Sequence, residues 1–287
     1  MNQKKILLGA HVSIADGFYK SIEQGEKIGA TCIQIFTKSN RQWSAKKITK
    51  EDISLFAASK KNSSIATVIA HASYLINLGS TTQETVEKSI HALAEELQRC
   101  DALDIPYLVL HPGTKHTTQE EPSLVFIADN INKALEKAGP KKVTLLLETM
   151  AGQGSTVGNT FEQLATILKH VKDHNNVGIC FDTCHAFAAG YQFDTPELYK
   201  KMWDNFDKTI GINKLKAFHV NDSKKELGSK VDRHEDIGKG LIGQNAFKMI
   251  MRDNRFVNIP KIIETPLENG LEDHKRNIDT LKEYAQE

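Results

Sequence analysis

An α/β chain closed into a single (β/α)8 TIM barrel, residues 1–287, is the fold class this sequence predicts. Two observations carry it. Eight short apolar runs recur along the chain, hydrophobic throughout rather than alternating, as strands covered on both faces must be. Every gap between them is long enough for a crossover helix. At 287 residues, 40% hydrophobic and 25% charged, the chain can bury one core of that size.

Taken in order, the runs are 6–12, 32–36, 67–70, 107–110, 143–147, 177–181, 215–218 and 260–263. The segments between them read as amphipathic helices with plausible ends. Asp16 precedes the stretch 18–28, which Gly29 closes; Thr82 stands at the start of a long segment running to Leu103; Gly270 precedes a terminal helix from Leu271. No Pro/Ser-rich linker divides the series. No Gly-x-Gly-x-x-Gly follows the first run, which disfavours the main alternative, an open doubly wound sheet.

Composition excludes some partners. Thirty-seven basic side chains against 36 acidic ones give a formal charge of +1, so nothing global draws the chain to a polyanion; local charge or metal must do that. The basic start Met1-Asn2-Gln3-Lys4-Lys5 precedes an apolar stretch too short for a signal-peptide core, and no run reaches membrane-spanning length. Cys32, Cys100, Cys180 and Cys184 form no Cys-x-x-Cys pair, which predicts reduced, buried thiols. The expectation is a cytoplasmic protein with no membrane partner.

Nine side chains of metal-binding type fall at or just beyond the ends of these runs: His71, His111, Glu148, Asp182, His185, His219, Asp232, His234 and Glu264. In a barrel of this kind the strand ends that feed the helices share one face, so residues distant in sequence converge there. The eight predicted ends are His11, Phe36, His71, His111, Glu148, Asp182, His219 and Glu264, and six of them, from His71 onward, are of ligand type. One strand-end histidine is as often a hydrogen-bonded core residue as a ligand; nine such residues on one face are not. The five imidazoles favour zinc (Zn2+), with manganese (Mn2+) or iron (Fe2+) as substitutes, and at three or four donors per ion the set suits about three ions if one carboxylate bridges. Glu148 is the natural bridge. His11 is read as orienting a ligand rather than coordinating. His91, His116, His170, His174 and His274 fall on helices or outer loops and are read as surface residues.

The same face carries other signals. The segment from Thr37 to Lys47 after the second strand holds Lys38, Arg41, Lys46 and Lys47 and no acid, with Trp43 interleaved, a pattern suited to phosphate contact and base stacking. Tyr74 and Leu75 follow His71 closely and could wedge into a base stack. Asn221, Asp222, Lys224 and Lys225, then Lys230 and Arg233, add polar and basic groups.

The stretches Gly9-Ala10-His11-Val12-Ser13, Arg41-Gln42-Trp43, His71-Ala72-Ser73-Tyr74-Leu75, His111-Pro112-Gly113, Phe181-Asp182-Thr183-Cys184-His185, His219-Val220-Asn221-Asp222-Ser223-Lys224, Asp232-Arg233-His234 and Glu264-Thr265-Pro266, in this order, resemble endonuclease IV, the zinc-dependent apurinic/apyrimidinic endonuclease family. The resemblance runs from the first strand to the eighth. It implies three zinc ions: one on His71, His111 and Glu148; one on Glu148, Asp182, His219 and Glu264; one on His185, Asp232 and His234. It implies Glu148 and Glu264 as catalytic residues, and Arg41, Tyr74 and Leu75 as DNA contacts; Asn221, Lys224 and Arg233, polar and basic on the same face, are read as further DNA contacts. The implied reaction, in base excision repair, is hydrolysis of the phosphodiester 5′ to an abasic site in duplex DNA by a monomer, leaving a 3′-hydroxyl and a 5′-deoxyribose phosphate. Removal of 3′-blocking groups is implied as well. Two other readings compete: a sugar isomerase or epimerase on a related barrel, which the additional His185, Asp232 and His234 disfavour, and a DNA-damage binder whose metals are purely structural, which the scarcity of cysteine among the donors disfavours.

Overall fold

The structure, a computed structural model, describes residues 6–286, so the expectation for Met1–Lys5 lies outside the described residues. Eight parallel strands close a barrel: β1 (Leu8–His11), β2 (Cys32–Phe36), β3 (Thr67–His71), β4 (Tyr107–Leu110), β5 (Thr144–Glu148), β6 (Val177–Asp182), β7 (Leu215–His219) and, after a short antiparallel pair β8 (Asp222–Ser223) and β9 (His234–Glu235), β10 (Lys261–Ile263). β10 hydrogen-bonds to β1 on one side and β7 on the other, which removes both sheet edges. The predicted order and number of barrel strands are therefore those observed, with ends shifted by one or two residues; the first run is two residues shorter at its start and one at its end.

Helices α1 (Phe18–Lys27), α2 (Lys50–Lys61), α3 (Gln83–Ala102), α4 (Glu120–Ala138), α5 (Phe161–His170), α6 (Thr183–Ala189), α7 (Pro196–Thr209), α8 (Gln244–Arg252) and α9 (Leu271–Gln286) surround the barrel. Two helix starts differ from expectation. Gly17, not Asp16, occupies the cap position of α1, and Thr82 caps α3 in position only, its hydroxyl making no capping bond. α2 instead has a full capping box between Thr49 and Asp52.

Two buried apolar layers result. The larger lies between strands and helices; the smaller fills the barrel with one residue from each of seven strands: Cys32, Ile69, Val109, Leu146, Cys180, Ala217 and Ile262. On β1 the matching position is Gly9, where an added Cβ would stand 1.6 Å from the carbonyl oxygen of Cys32, so only glycine permits this approach of β1 to β2. All four cysteines are free and buried, and burial pushes the thiols of Cys32 and Cys180 up to about 12 and about 11.

Side chains alternate along a strand, so the residue two positions beyond each of these faces the barrel axis again, one level higher. Those residues are His11, Gln34, His71, His111, Glu148, Asp182, His219 and Glu264. The polar layer is the continuation of the barrel's own apolar filling. On the second strand its member is Gln34, not the strand-end Phe36.

Candidate metal centre

Each donor is aimed by a local device. Asp182 ends β6 and caps α6, its Oδ1 accepting from the backbone N–H of His185 at 2.8 Å, which brings the histidine three residues on over the same face. β8 and β9 pair in antiparallel fashion, Ser223 opposite His234, and fold the long loop after β7 back across the barrel mouth. Buried Asp222 pins that loop by accepting from four backbone N–H groups, of Ser223, Gly238, Gly240 and Ile242.

The nine predicted residues converge. His71 Nε2 and His111 Nε2 lie 3.2 and 3.1 Å from Glu148 Oε2; His219 Nδ1 and His185 Nδ1 lie 2.9 and 3.3 Å from Glu148 Oε1. His219 Nδ1 is also 3.2 Å from Glu264 Oε2 and 3.8 Å from Asp182 Oδ2. Asp232 stands between His185 Nε2 at 3.1 Å and His234 Nε2 at 3.2 Å. Three donor groups follow: His71, His111 and Glu148; Glu148, Asp182, His219 and Glu264; His185, Asp232 and His234, the donor atoms of each within 4.8 Å of one another. This is also the division that the family resemblance implies, Glu148 belonging to two groups.

The residues fit metal. His71 Nδ1 donates to the Ala72 carbonyl at 2.7 Å and His234 Nδ1 to that of Glu264 at 3.0 Å, which fixes Nε2 as the free donor atom of each; His185 Nδ1, 2.9 Å from the Thr149 carbonyl, is held the same way. His185 Nε2 and His234 Nε2 are buried with no hydrogen-bond partner although Asp232 is near: they converge on its carboxylate without the alignment a hydrogen bond needs. Buried nitrogens of that kind are what a bound cation satisfies. Cys184 also approaches Asp182 and His234, but its Sγ donates to the Arg233 carbonyl and burial pushes the thiol up to about 12, as expected of an inert thiol.

The electrostatics of the site are those of an ion network. Burial alone would raise Glu148, yet the imidazoles of His219 and His111 hold its carboxyl well below the usual range. Glu264 and Asp232 are likewise held low by neighbouring histidines against burial, whereas burial dominates at Asp182 and raises it. His185 and His219 are raised well above 6.5 and His234 to about 9, facing carboxylates in spite of burial.

Gln34 is a member of the site that the sequence pattern does not single out. It is fully buried; its amide nitrogen donates to Glu264 Oε1 at 2.7 Å and lies 2.9 Å from His11 Nδ1, while its oxygen accepts from His219 Nε2 at 2.8 Å. It therefore turns His219 Nδ1 toward the donors and steadies Glu264. His11, 3.4 Å from Glu264, joins the same arrangement rather than a donor group. Gln34→Ala should lower metal retention roughly 10–100-fold, the usual effect of losing such an orienting partner. Metal content after dialysis against a weak chelator reads this out; wild-type retention would contradict it.

Asn221 requires a correction. Expected as a DNA contact, it is fully buried: its amide nitrogen donates to Asp182 Oδ2 at 2.7 Å and its oxygen accepts from the Glu264 backbone at 2.7 Å. The chain turns inward after His219, so this residue orients donors. Lys38 is also internal, its ammonium 2.8 Å from the Trp43 carbonyl, and His274 is buried against the His11 carbonyl rather than on the surface. The other residues expected as DNA contacts lie at the rim of the barrel mouth: Tyr74 is 57% exposed with its ring 5.4 Å from that of His71, Leu75 is half-buried, and Arg41 and Arg233 are exposed. Lys224 is exposed, loosely facing Glu235. A groove of about 1010 Å³ runs from His11 and Phe36 past Lys46 and Lys47.

The (β/α)8 barrel belongs to a recognised class: residues 22–284 match the xylose isomerase-like TIM barrel family. Within it, the chain belongs to the endonuclease IV family of nucleases. It is 45% identical over 278 residues to the protein of Chloroflexus aurantiacus named "Probable endonuclease 4", covering 97% of this chain and 98% of that one. The crystal structure of endonuclease IV from Thermus thermophilus superposes with a TM-score of 0.85 at 34% identity, covering 97% of this chain and 98% of that one. A D-tagatose 3-epimerase-like protein shares the fold alone, with a TM-score of 0.72 at 20% identity over 97% of each chain.

Proposed function

We infer that this chain is a DNA repair endonuclease that hydrolyses the phosphodiester 5′ to an abasic site in duplex DNA, leaving a 3′-hydroxyl and a 5′-deoxyribose phosphate. The observation that carries this reading is the union of two features on one face: three overlapping donor groups that share Glu148, and a rim of exposed Arg41, Tyr74 and Arg233 above them. Three zinc ions, with manganese or iron as substitutes, are the proposed occupants. When bound, zinc lowers the pKa of water to about 7 and neutralises charge on the phosphoryl oxygens.

The chain's own residues do the rest. Glu148, fully buried, shares its two oxygens between two donor groups and so fixes their separation. Of Glu148, Asp182 and Glu264, only Glu264 keeps an exposed edge, its side chain 13% accessible against none for the others, which lets it accept a hydrogen bond from the attacking water and orient it. Arg41, Tyr74 and Leu75 would enter the minor groove and hold a bend that presents the abasic nucleotide to the barrel mouth. A sugar epimerase needs neither the His185, Asp232 and His234 group nor this rim. Removal of 3′-blocking groups is proposed as a second use of the same centre.

Incubation of the zinc-loaded protein with a duplex carrying one tetrahydrofuran abasic analogue should yield a nick with a 3′-hydroxyl. The analogue lacks the aldehyde a lyase needs, so cleavage is hydrolytic. An intact duplex beside protein with its full metal content would overturn the reading in favour of a binding protein.

A further inference from the structure

Helix α3 contributes a buried acid and a largely buried base that the donor groups do not use, Glu96 and Arg99, 1% and 9% exposed. They lie three residues apart on the helix and so share a face. Both point beneath the rim. Glu96 Oε1 accepts from the backbone N–H of Ser73 at 3.2 Å and is 3.8 Å from the ammonium of Lys38; its other oxygen is buried without a hydrogen-bond partner. Burial pushes this carboxyl up to about 7. A carboxylate so placed destabilises the fold unless its neighbours compensate, and nothing in barrel packing requires one.

Two loops meet on these side chains. In the loop after β2, Lys38 Nζ donates to the carbonyls of Trp43 and Gln42 at 2.8 and 3.4 Å, and Arg99 donates to those of Thr37 and, at 2.7 Å, Lys46. In the loop after β3, Ser73 Oγ donates to the Asn40 carbonyl at 2.9 Å and accepts from the backbone N–H of Leu75. Arg41 is thus held from both sides, through Asn40 by Ser73 and through Gln42 by Lys38, while Tyr74 and Leu75 follow Ser73 directly. Glu96 contacts both Ser73 and Lys38, and so stands where the two loops join.

We propose that Glu96 is a positioning residue that couples the Arg41 loop to the Tyr74–Leu75 loop, so that the two meet DNA as one rigid wedge. This rests on the reading above that these residues enter the minor groove. The coupling is carried by contiguous polar contacts, and its signature is non-additivity between the two loops.

Glu96→Ala, Arg41→Ala and the double variant are to be compared on the tetrahydrofuran duplex and on bis(4-nitrophenyl) phosphate, a small diester that touches the metal centre without reaching the rim. Glu96→Ala should raise KM for the duplex about tenfold with kcat nearly unchanged, and leave small-diester turnover at the wild-type level. The double variant should be no worse than the more severe single one. Unchanged KM, equal loss on both substrates, or additive losses would overturn the coupling. Should Glu96→Ala not fold, Glu96→Gln, which keeps the shape but removes the charge facing Lys38, must raise KM for the duplex in the same way; a wild-type KM for it would overturn the proposal equally. A wild-type protein that hydrolyses the small diester but not the duplex would instead remove the functional reading, and the coupling with it.

Discussion

Glu148→Gln is expected to lower turnover on an abasic duplex by on the order of 10³-fold while duplex affinity stays within about threefold of wild type. Glutamine matches glutamate in shape, so the fully buried site keeps its packing. What is lost is the charge and one of two acceptor atoms. Glu148 Oε2 faces His71 and His111, and Oε1 faces His219 and His185, all between 2.9 and 3.3 Å. An amide presents an oxygen to one pair and an NH2 to the other, so it cannot serve two donor groups at once. The exposed rim residues do not touch this carboxylate, which is why binding should persist. Single-turnover cleavage beside fluorescence anisotropy on the same duplex, with zinc content measured in parallel, reads out both halves. Undiminished cleavage would remove Glu148 from the mechanism.

The convergence of these donor side chains is legible in the sequence because two periodicities act together. A parallel barrel gathers strand ends on one face, and a strand repeats its facing every second residue, so polar residues two positions beyond the inner apolar layer must meet. His71, Glu148, Asp182 and His219 end their strands, and His111 and Glu264 lie one residue past theirs. Gln34 is hidden by the same rule applied too literally. It sits two residues inside β2, between Ile33 and Ile35, where an amide reads as an interruption of an apolar run and Phe36 reads as the end. The polar layer is set by facing and level in the barrel, and strand ends only approximate it.

Loops are less legible because sequence does not tell which way a polar side chain turns. Asn221 and Asp222 sit among the lysines after β7, yet both fold inward, one onto Asp182 and Glu264, the other onto four backbone N–H groups. Lys38 lies in an acid-free segment that looks like a phosphate-binding stretch, but the Gln42 and Trp43 carbonyls, with Glu95 and Glu96 of α3 each 3.8 Å from its ammonium, hold it beneath the loop. Charge pattern places the loop on the right face; which of its cations reach solvent depends on a partner that only tertiary structure supplies.

Metal removal should leave a protein whose stability falls as pH rises from about 6.5 to about 9, with zinc-loaded protein diverging from it over the same range. The sign follows from the direction of each shift. His234 is raised from 6.5 to about 9, and His185 and His219 are raised well above 6.5. Their imidazolium forms stabilise the metal-free fold fully below 6.5, and that contribution is lost as pH climbs through the folded-state values. Glu148, Asp232 and Glu264 are depressed below the usual 4.5 and 3.8, so their contribution is present above the ordinary carboxyl range and is lost only in stronger acid. Asp182 runs the other way, being raised, and weakens the metal-free state once it ionises. Zinc competes with the same protons, since a coordinating imidazole must be neutral, so its stabilisation grows as pH rises. Paired thermal melts from pH 5 to 9, chelated against zinc-loaded, should show a gap that is small at pH 5 and on the order of 10 °C at pH 8. A gap that narrows with rising pH would mean that the buried histidines serve as imidazolium partners of the carboxylates and not as metal donors.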